Sequence, residues 1–214
     1  MQMIKFTHAC VRLQDGDRAV LIDPGIWAEP AALEGVTDVL VTHEHFDHVD
    51  VDRLAEHHKS TPDLRVYAPE KIAADLAEKM GSDAVTVVSP GQSLSVAGFT
   101  VDVVGGQHAE IWGGLPGCAN VGYVVGAGGA TVYHPGDSLF VPSAKVDVLL
   151  TPVSGPWFKL GEGLDFVRAI APRKAFPIHD RLLSDIGLSL VDGWLDRHGQ
   201  TEYSRPAEGE AIEL

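Results

Sequence analysis

The sequence predicts an α+β domain with mixed β-sheets. Short alternating or apolar runs, typical of strands, come in two groups, and helical patterns follow each group. The first group has strands near residues 4–8, 10–13 and 19–22, and the turn at residues 15–17 indicates an antiparallel start to a sheet. A chain of 214 residues, 45% of them hydrophobic, can bury one core but is short for two. We therefore expect one domain over residues 1–214.

The later elements follow from apolar runs and from the residues that interrupt them. Pro69 opens a helical pattern and Gly81 ends it, whereas Pro172 ends the next helical pattern. The last strand is expected at residues 174–178, before an amphipathic closing helix. The predicted helices cover residues 51–58, 69–80, 164–170 and 182–197. The other predicted strands cover residues 39–41, 64–68, 85–88, 93–96, 99–104, 121–125, 130–133 and 146–150.

The overall charge and composition argue against several kinds of partner. The formal net charge is -14, and no run of Lys and Arg is present, so we expect no nucleic-acid partner. No apolar run approaches the roughly 20 residues of a membrane helix, and the amino terminus lacks the apolar stretch of a signal peptide. Two cysteines cannot form a disulfide framework. The expectation is a cytoplasmic protein with no membrane partner.

Three histidines and one aspartate lie within residues 43–48, directly after an apolar strand. In an extended backbone, residues two apart point the same way, so His43 and His45 leave the strand on one face. Asp47 and His48 follow in a turn. Zinc binds imidazole nitrogen and carboxylate oxygen, and this loop holds more donors than one ion takes from a single loop. The spacing therefore indicates two neighbouring metal ions.

The His-x-His-x-Asp-His motif that begins at His43 resembles the metal-binding signature of the metallo-β-lactamase superfamily of hydrolases. That family would require three further ligands downstream, namely a histidine, a Gly-Asp pair and a late histidine. Candidates occur in that order, each at a strand end: His108, Asp137 and His179. The resemblance covers nearly the whole chain and implies a four-layer αββα sandwich, in which two mixed β-sheets are flanked by helices.

The resemblance also implies how the ligands divide between two divalent ions. Asp137 would bridge them, because the two oxygens of a carboxylate can serve two cations at once. Flavin-linked diiron relatives typically place Glu where His45 stands, so His45 favours a hydrolytic zinc-type centre, although manganese or iron also suits these donors. The remaining ligands would be His43, His45 and His108 for one ion and Asp47, His48 and His179 for the other.

Three residues are candidates for support of the metal site. The Thr-His-Ala element at His8 resembles the superfamily branch that includes the ascorbate phosphate lactonases, where this histidine approaches the metals without being a primary ligand. Asp23 ends a strand, and in the superfamily such an aspartate lies beneath the metal loop and could orient an imidazole. A structural histidine and a plain turn aspartate remain the alternatives. His134 is expected to support its loop.

The irregular segments suggest where a substrate would be held. Residues 109–120 form a Gly-rich loop that contains Trp112, and we expect it to lie over the site as a lid. Trp157 and Lys159 lie in a second Gly/Pro-rich loop and are candidates for the substrate wall, with local packing as the alternative. Cys118 is expected to be a small buried hydrophobe.

The predicted function is that of a dinuclear metal-dependent hydrolase, with zinc the first choice. A metal-bridging hydroxide would attack a small ester, lactone or related bond, and Asp47 would bind one ion and orient the nucleophile. Two alternatives stay open: a phosphodiesterase of the same fold, for which Lys159 and Arg181 are the only obvious cations, and a metal-binding protein without turnover. The expected partner is a small-molecule substrate, and a homo-oligomer remains open.

Overall fold

The computed structural model describes residues 1–115 and 117–214, and these form two seven-stranded β-sheets and four α-helices. None of these helices combines the length and the apolar character that crossing a bilayer requires. The helices are α1 (Val51–Ser60), α2 (Glu70–Met80), α3 (Leu160–Ile170) and α4 (Asp185–His198). The strands are β1 (Gln2–Lys5), β2 (Val11–Asp15), β3 (Arg18–Ile22), β4 (Asp38–Leu40), β5 (Arg65–Ala68), β6 (Val85–Val87), β7 (Ser93–Val96), β8 (Phe99–Gly105), β9 (Val121–Ala127), β10 (Ala130–His134), β11 (Val148–Pro152), β12 (Lys174–Ile178), β13 (Glu202–Tyr203) and β14 (Ala211–Glu213).

Both sheets share one plan, with an antiparallel half and a parallel half. The first sheet has the order β14-β1-β2-β3-β4-β5-β6, antiparallel as far as β3 and parallel from β3 to β6. The second has the order β13-β12-β11-β10-β9-β8-β7, antiparallel from β7 to β10 and parallel from β10 to β13. The mixed sheets predicted from the sequence are therefore confirmed.

The layers follow from the alternation of side chains along the strands. In β3, Val20 and Ile22 point into the core between the two sheets, whereas Leu21 points to the outer face that α1 and α2 cover. On the opposite side of the molecule, Val167 of α3 and Leu195 of α4 pack in the core against the second sheet. The order helices, sheet, sheet, helices is the four-layer αββα sandwich that the resemblance implied.

Several sequence-based predictions about elements were wrong. The strand β1 covers Gln2–Lys5 rather than residues 4–8, and β11 covers Val148–Pro152 rather than residues 146–150. Helix α3 begins at Leu160 rather than at residue 164, because Gly161 and Gly163 weaken the helical pattern without ending the helix. Helix α4 begins at Asp185, where Ser184 caps it, rather than at residue 182. The strand β12 is not the last one, since β13 and β14 follow it. Both of these strands are short and pair with distant partners, so little in their own sequence marks them.

The metal loop is held from below by a close approach of two backbone segments. The Ile26 N–H donates to the Phe46 carbonyl at 3.0 Å, and the Asp50 N–H donates to the Pro24 carbonyl at 3.0 Å. Between these bonds lies Gly25, where an added Cβ would come within 2.0 Å of the Asp47 carbonyl oxygen. Only glycine therefore allows the chain after β3 to lie against the loop that follows β4.

Gly25→Ala is expected to destabilise the protein by about 1–3 kcal/mol, because the new methyl group overlaps backbone that cannot move aside freely. Urea unfolding of the metal-free variant, followed by circular dichroism, measures this loss. The matched control is Gly161→Ala in α3, where an added Cβ meets nothing within 4 Å. That change should be neutral or stabilising by up to about 1 kcal/mol. Equal stability of the Gly25 and Gly161 variants would contradict the close approach.

Candidate metal centre

The structure brings eight histidine and aspartate side chains, which are candidate metal ligands, into two adjoining clusters at one end of the sandwich. The chain supplies them from loops that follow β1, β4, β8, β10 and β12. Within each cluster the donor atoms all lie within 4.8 Å of one another. The first cluster contains His43, His45, His108 and Asp137, and the second contains His8, Asp47, His48 and His179. All seven predicted ligands are therefore adjacent, together with His8.

In the first cluster, neighbouring groups orient two of the imidazoles. The His108 Nδ1 lies 2.6 Å from the carbonyl oxygen of Ala109, and a carbonyl only accepts, so Nδ1 carries the proton and Nε2 keeps its lone pair. The His43 Nδ1 lies 3.0 Å from the Thr42 hydroxyl, which leaves its Nε2 directed to the cluster. Burial lowers the pKa of His43 well below its usual value, so this ring is neutral and able to bind a cation.

In the second cluster, the carboxylate of Asp23 orients His48. The His48 Nδ1 donates to Asp23 Oδ2 at 2.6 Å, and the Thr42 backbone and hydroxyl donate to the same carboxylate at 2.8 and 2.6 Å. Asp23 thus lies beneath the metal loop and ties the end of β3 to it. Burial opposes a charge on His48, but Asp137 and Asp23 outweigh burial and raise the pKa of His48 well above its usual value. A cation that binds at Nε2 would therefore displace a proton from this ring.

The hydrogen bonds of His8 distinguish it from a ligand. The Arg181 N–H donates to His8 Nδ1 at 3.2 Å, so Nδ1 is unprotonated and Nε2 carries the proton of the neutral ring. The protonated Nε2 then donates to Asp47 Oδ2 at 3.2 Å. Burial lowers the pKa of His8, which favours this neutral form. A nitrogen that carries a proton cannot bind a metal, so the arrangement suits a residue that orients Asp47.

Asp137 lies between the clusters and contacts both. Its Oδ2 is 3.2 Å from His108 Nε2 and 3.1 Å from His179 Nε2, and its Oδ1 is 3.0 Å from His48 Nε2. The Trp157 indole donates a further hydrogen bond to Oδ2 at 3.0 Å. Burial acts to raise the pKa of Asp137, but His48 and the other imidazoles hold the pKa well below its usual value. Asp137 is therefore a buried carboxylate that stays ionised.

The free atoms of this centre fit divalent metal ions. Several buried polar atoms make no hydrogen bond of good geometry among the described residues, although three imidazole Nε2 atoms lie 3.0 to 3.2 Å from Asp137. The atoms of the centre without such a bond are His48 Nε2, His108 Nε2, both ring nitrogens of His179, and Asp137 Oδ1. Buried polar atoms without partners cost free energy, and imidazole nitrogens beside carboxylate oxygens are a donor set that divalent metal ions accept.

The residues predicted to hold substrate are distributed differently. Trp157 is buried and hydrogen-bonded to Asp137, so it supports a ligand candidate and does not form an exposed wall. Lys159 precedes α3 and is exposed, with its ammonium 3.6 Å from Glu162. Trp112 is 72% exposed, near a groove of about 390 Å³ that includes His108 and Leu115. The predicted lid, residues 109–120, includes Pro116, which lies outside the described residues.

Other residues at the centre were missed from the sequence. Trp27 packs edge-on against His8, with ring centroids 4.9 Å apart, and against the exposed Phe46 at 5.7 Å. Asn120 is fully buried, accepts the Asp137 N–H at 3.0 Å and donates to the Pro135 carbonyl at 2.9 Å. No local pattern marks Asn120, whereas an aromatic residue inside the metal motif could have drawn attention to Phe46.

Two further predicted residues have neighbours that clarify their roles. The Cys118 sulfur lies 3.9 Å from His45 Nε2, and burial raises the pKa of this half-buried thiol to about 11. Cys118 is only half-buried and lies beside a ligand candidate, so the prediction of a buried hydrophobe was wrong in its burial. The His134 Nε2 donates to the Ala9 carbonyl at 2.8 Å, and its Nδ1 accepts the Gly136 N–H at 3.1 Å. His134 therefore holds the loop that presents Asp137.

Fold and site together define a metal-dependent hydrolase of the metallo-β-lactamase class. The beta-lactamase superfamily domain matches residues 2–179, which is most of the chain. The chain belongs to this superfamily, as its sequence resemblance predicted.

Named relatives agree with this membership. Protein Rv0786c of Mycobacterium tuberculosis is 36% identical over 215 residues, covering 99% of each chain. A UPF0173 metal-dependent hydrolase of Xanthobacter autotrophicus is 37% identical over 125 residues, covering 54% of this chain and 51% of the relative. The metallo-beta-lactamase fold protein YhfI of Bacillus subtilis superposes with a TM-score of 0.76 at 15% identity, covering 99% of this chain and 98% of YhfI. The last comparison bears on the fold alone.

Trp157→Phe is expected to weaken metal binding by about tenfold or more, because it removes the N–H that holds Asp137 Oδ2 while keeping an aromatic ring. Competition with a chromophoric chelator measures the affinity. The matched control is Trp194→Phe, which changes a partly exposed tryptophan on α4. Equal metal affinities in wild type and both variants would contradict a positioning role for the indole.

Proposed function

We propose that this protein is a dinuclear zinc hydrolase that cleaves a small ester, lactone or related bond. The observation that carries the proposal is the position of Asp137. One of its oxygens faces His48, and the other faces His108 and His179, so a single carboxylate reaches donors from both clusters. Two cations a short distance apart need such a shared anion, since their mutual repulsion would otherwise weaken binding of the second.

The donor set supports zinc. The residues that would hold one ion are His43, His45 and His108, and those that would hold the other are Asp47, His48 and His179, with Asp137 common to both. Histidine nitrogen and carboxylate oxygen without thiolate suit zinc, and a purely hydrolytic centre needs no redox-active metal. The same donors also accept manganese or iron, so metal content must be measured.

The chain's residues prepare the site for hydrolysis at neutral pH. When bound, a pair of divalent ions lowers the pKa of a water molecule and polarises the scissile carbonyl. Burial acts to raise the pKa of Asp47, but the His8 hydrogen bond and the nearby imidazoles lower it to about 2, so Asp47 is ionised. Asp47 and His45 are only half-buried, which leaves this side of the centre open to substrate. Asp47, held by His8, is placed to orient the attacking water.

The surroundings of this open side favour a partly apolar substrate. The aromatic pair Trp27 and Phe46 lies beside His8, and Trp112 and Leu115 expose apolar surface near His108. Lys159 is close to Glu162, and the whole chain carries a net charge of -14. An acidic surface opposes the approach of long polyanions, whereas aromatic walls favour small neutral molecules. Lactones and esters suit this mouth better than nucleic-acid phosphodiesters.

Gently purified wild-type protein is expected to bind two divalent ions per chain, and Asp137→Ala is expected to bind fewer and to lose hydrolysis. Elemental analysis after zinc loading gives the stoichiometry. The control is His57→Ala on α1, which lies outside both clusters and should keep wild-type metal content and turnover. Trace metal in loaded wild-type protein, or full turnover by the Asp137 variant, would overturn the dinuclear assignment.

Steady-state rates on a lactone and ester panel are expected to exceed those on a phosphodiester panel, with no activity on RNA or DNA. Both panels use the same zinc-loaded sample, so differences in metal content cannot explain the outcome. Phe46→Ala removes an exposed ring outside the donor clusters, and we expect it to raise KM for aromatic esters more than for small aliphatic lactones. Turnover of phosphodiesters alone would replace the lactone or ester assignment with a phosphodiesterase.

A further inference from the structure

Helix α4 exposes a row of large apolar side chains that the fold does not cover. Its inner face packs Val191 and Leu195 into the core of the second sheet. On its outer face, Ile186, Leu190 and Trp194 follow each other at intervals of one helical turn and are 82%, 54% and 42% exposed. Three large apolar residues in one row form a patch of the kind that marks an interaction surface. The row lies outside the metal centre.

A second row beside the first makes a groove. Ser189 and Gly193 are small and lie between the charged residues Asp185 and Arg197, again at intervals of one turn. Residues of both rows line a groove of about 590 Å³. Arg197 folds back along Gly193, and its Nε donates to the Gly193 carbonyl at 2.7 Å. Helices pack when the ridge along one i, i+4 row enters the groove beside such a row on the other helix. The outer face of α4 presents both parts, a ridge of large residues and a groove beside it that Ser189 and Arg197 line.

We propose that this face binds the same face of a second copy of the chain, so that two α4 helices pack antiparallel about a twofold axis. A twofold interface requires a self-complementary surface, and the second row has this property. Ser189 and Gly193 are equally far along the helix from position 191, and so are Asp185 and Arg197. An antiparallel partner centred on position 191 therefore places its Arg197 near Asp185, and the small residues opposite each other.

Charge makes a second copy a better occupant than other partners. The groove lining carries one acid and one base, so the paired faces have no net charge and the end residues attract across the interface. A lining without net charge gives no attraction to a strongly charged partner such as an anionic membrane. This inference stands apart from the proposed hydrolysis, because none of these residues belongs to the metal centre.

Sedimentation equilibrium of the full chain, from low to high micromolar concentration, tests the pairing. The wild type is expected to dimerise, and Leu190→Glu is expected to raise the dimer dissociation constant by about thirtyfold or more. The control is Val87→Glu on β6, which changes a side chain of similar exposure, 51%, on another element. Far-UV circular dichroism and metal content should be unchanged in both variants. A wild type that stays monomeric, or a dimer that Leu190→Glu leaves intact, overturns the proposal.

A charge exchange tests the antiparallel register. Arg197→Asp is expected to weaken the dimer, because two aspartates then meet at each end of the interface. The double variant Asp185→Arg with Arg197→Asp restores opposite charges in an antiparallel pair and should recover the wild-type dissociation constant. A double variant that dimerises no better than Arg197→Asp alone overturns this register.

Discussion

The ionised carboxylate of Asp137 is the constraint on which the centre depends. A buried carboxylate carries a desolvation cost that only charged or hydrogen-bonding neighbours can offset. Imidazoles from loops after β4, β8 and β12 and the Trp157 indole all converge on its two oxygens. The sandwich brings these strand ends to one edge, so both sheets must assemble before the carboxylate gains its partners.

A second carboxylate, Asp23, fixes the orientation of the His48 ring. It accepts hydrogen bonds from Thr42 and from the outward nitrogen of His48, and so decides which nitrogen of His48 faces the metals. The carbonyl of Ala109 does the same for His108. His8 has the reverse pattern, with its proton directed at Asp47. In these histidines, the hydrogen-bond partner of one ring nitrogen sets whether the other nitrogen carries a proton or a free lone pair. The distance of the ring from the centre does not set this.

Local spacing predicted the metal loop, the superfamily resemblance predicted the more distant ligands, and features fixed by long-range packing were not predicted. The density of histidines after β4 identifies the metal loop, and the family order identifies His108, Asp137 and His179. The pairing of β13 and β14 joins residues far apart in sequence, and no local signal marks it. The direction of the Trp157 indole depends on packing, since an added Cβ at Gly155 would lie 2.9 Å from its nitrogen. Likewise, the proton position on His8 depends on Arg181, which is distant in the sequence.

The pairing of β1 with β14 has a consequence for biosynthesis. Met3 pairs with Ile212, so the first sheet remains incomplete until β14 leaves the ribosome. Contacts between such distant residues form late, because a long loop must close before they are made. In a nascent chain, β1 therefore has an open edge available to other strands, which is a known route to misassembly. The first sheet should accordingly complete its assembly only after β14 has been synthesised, and the chain should be most prone to aggregate before that point.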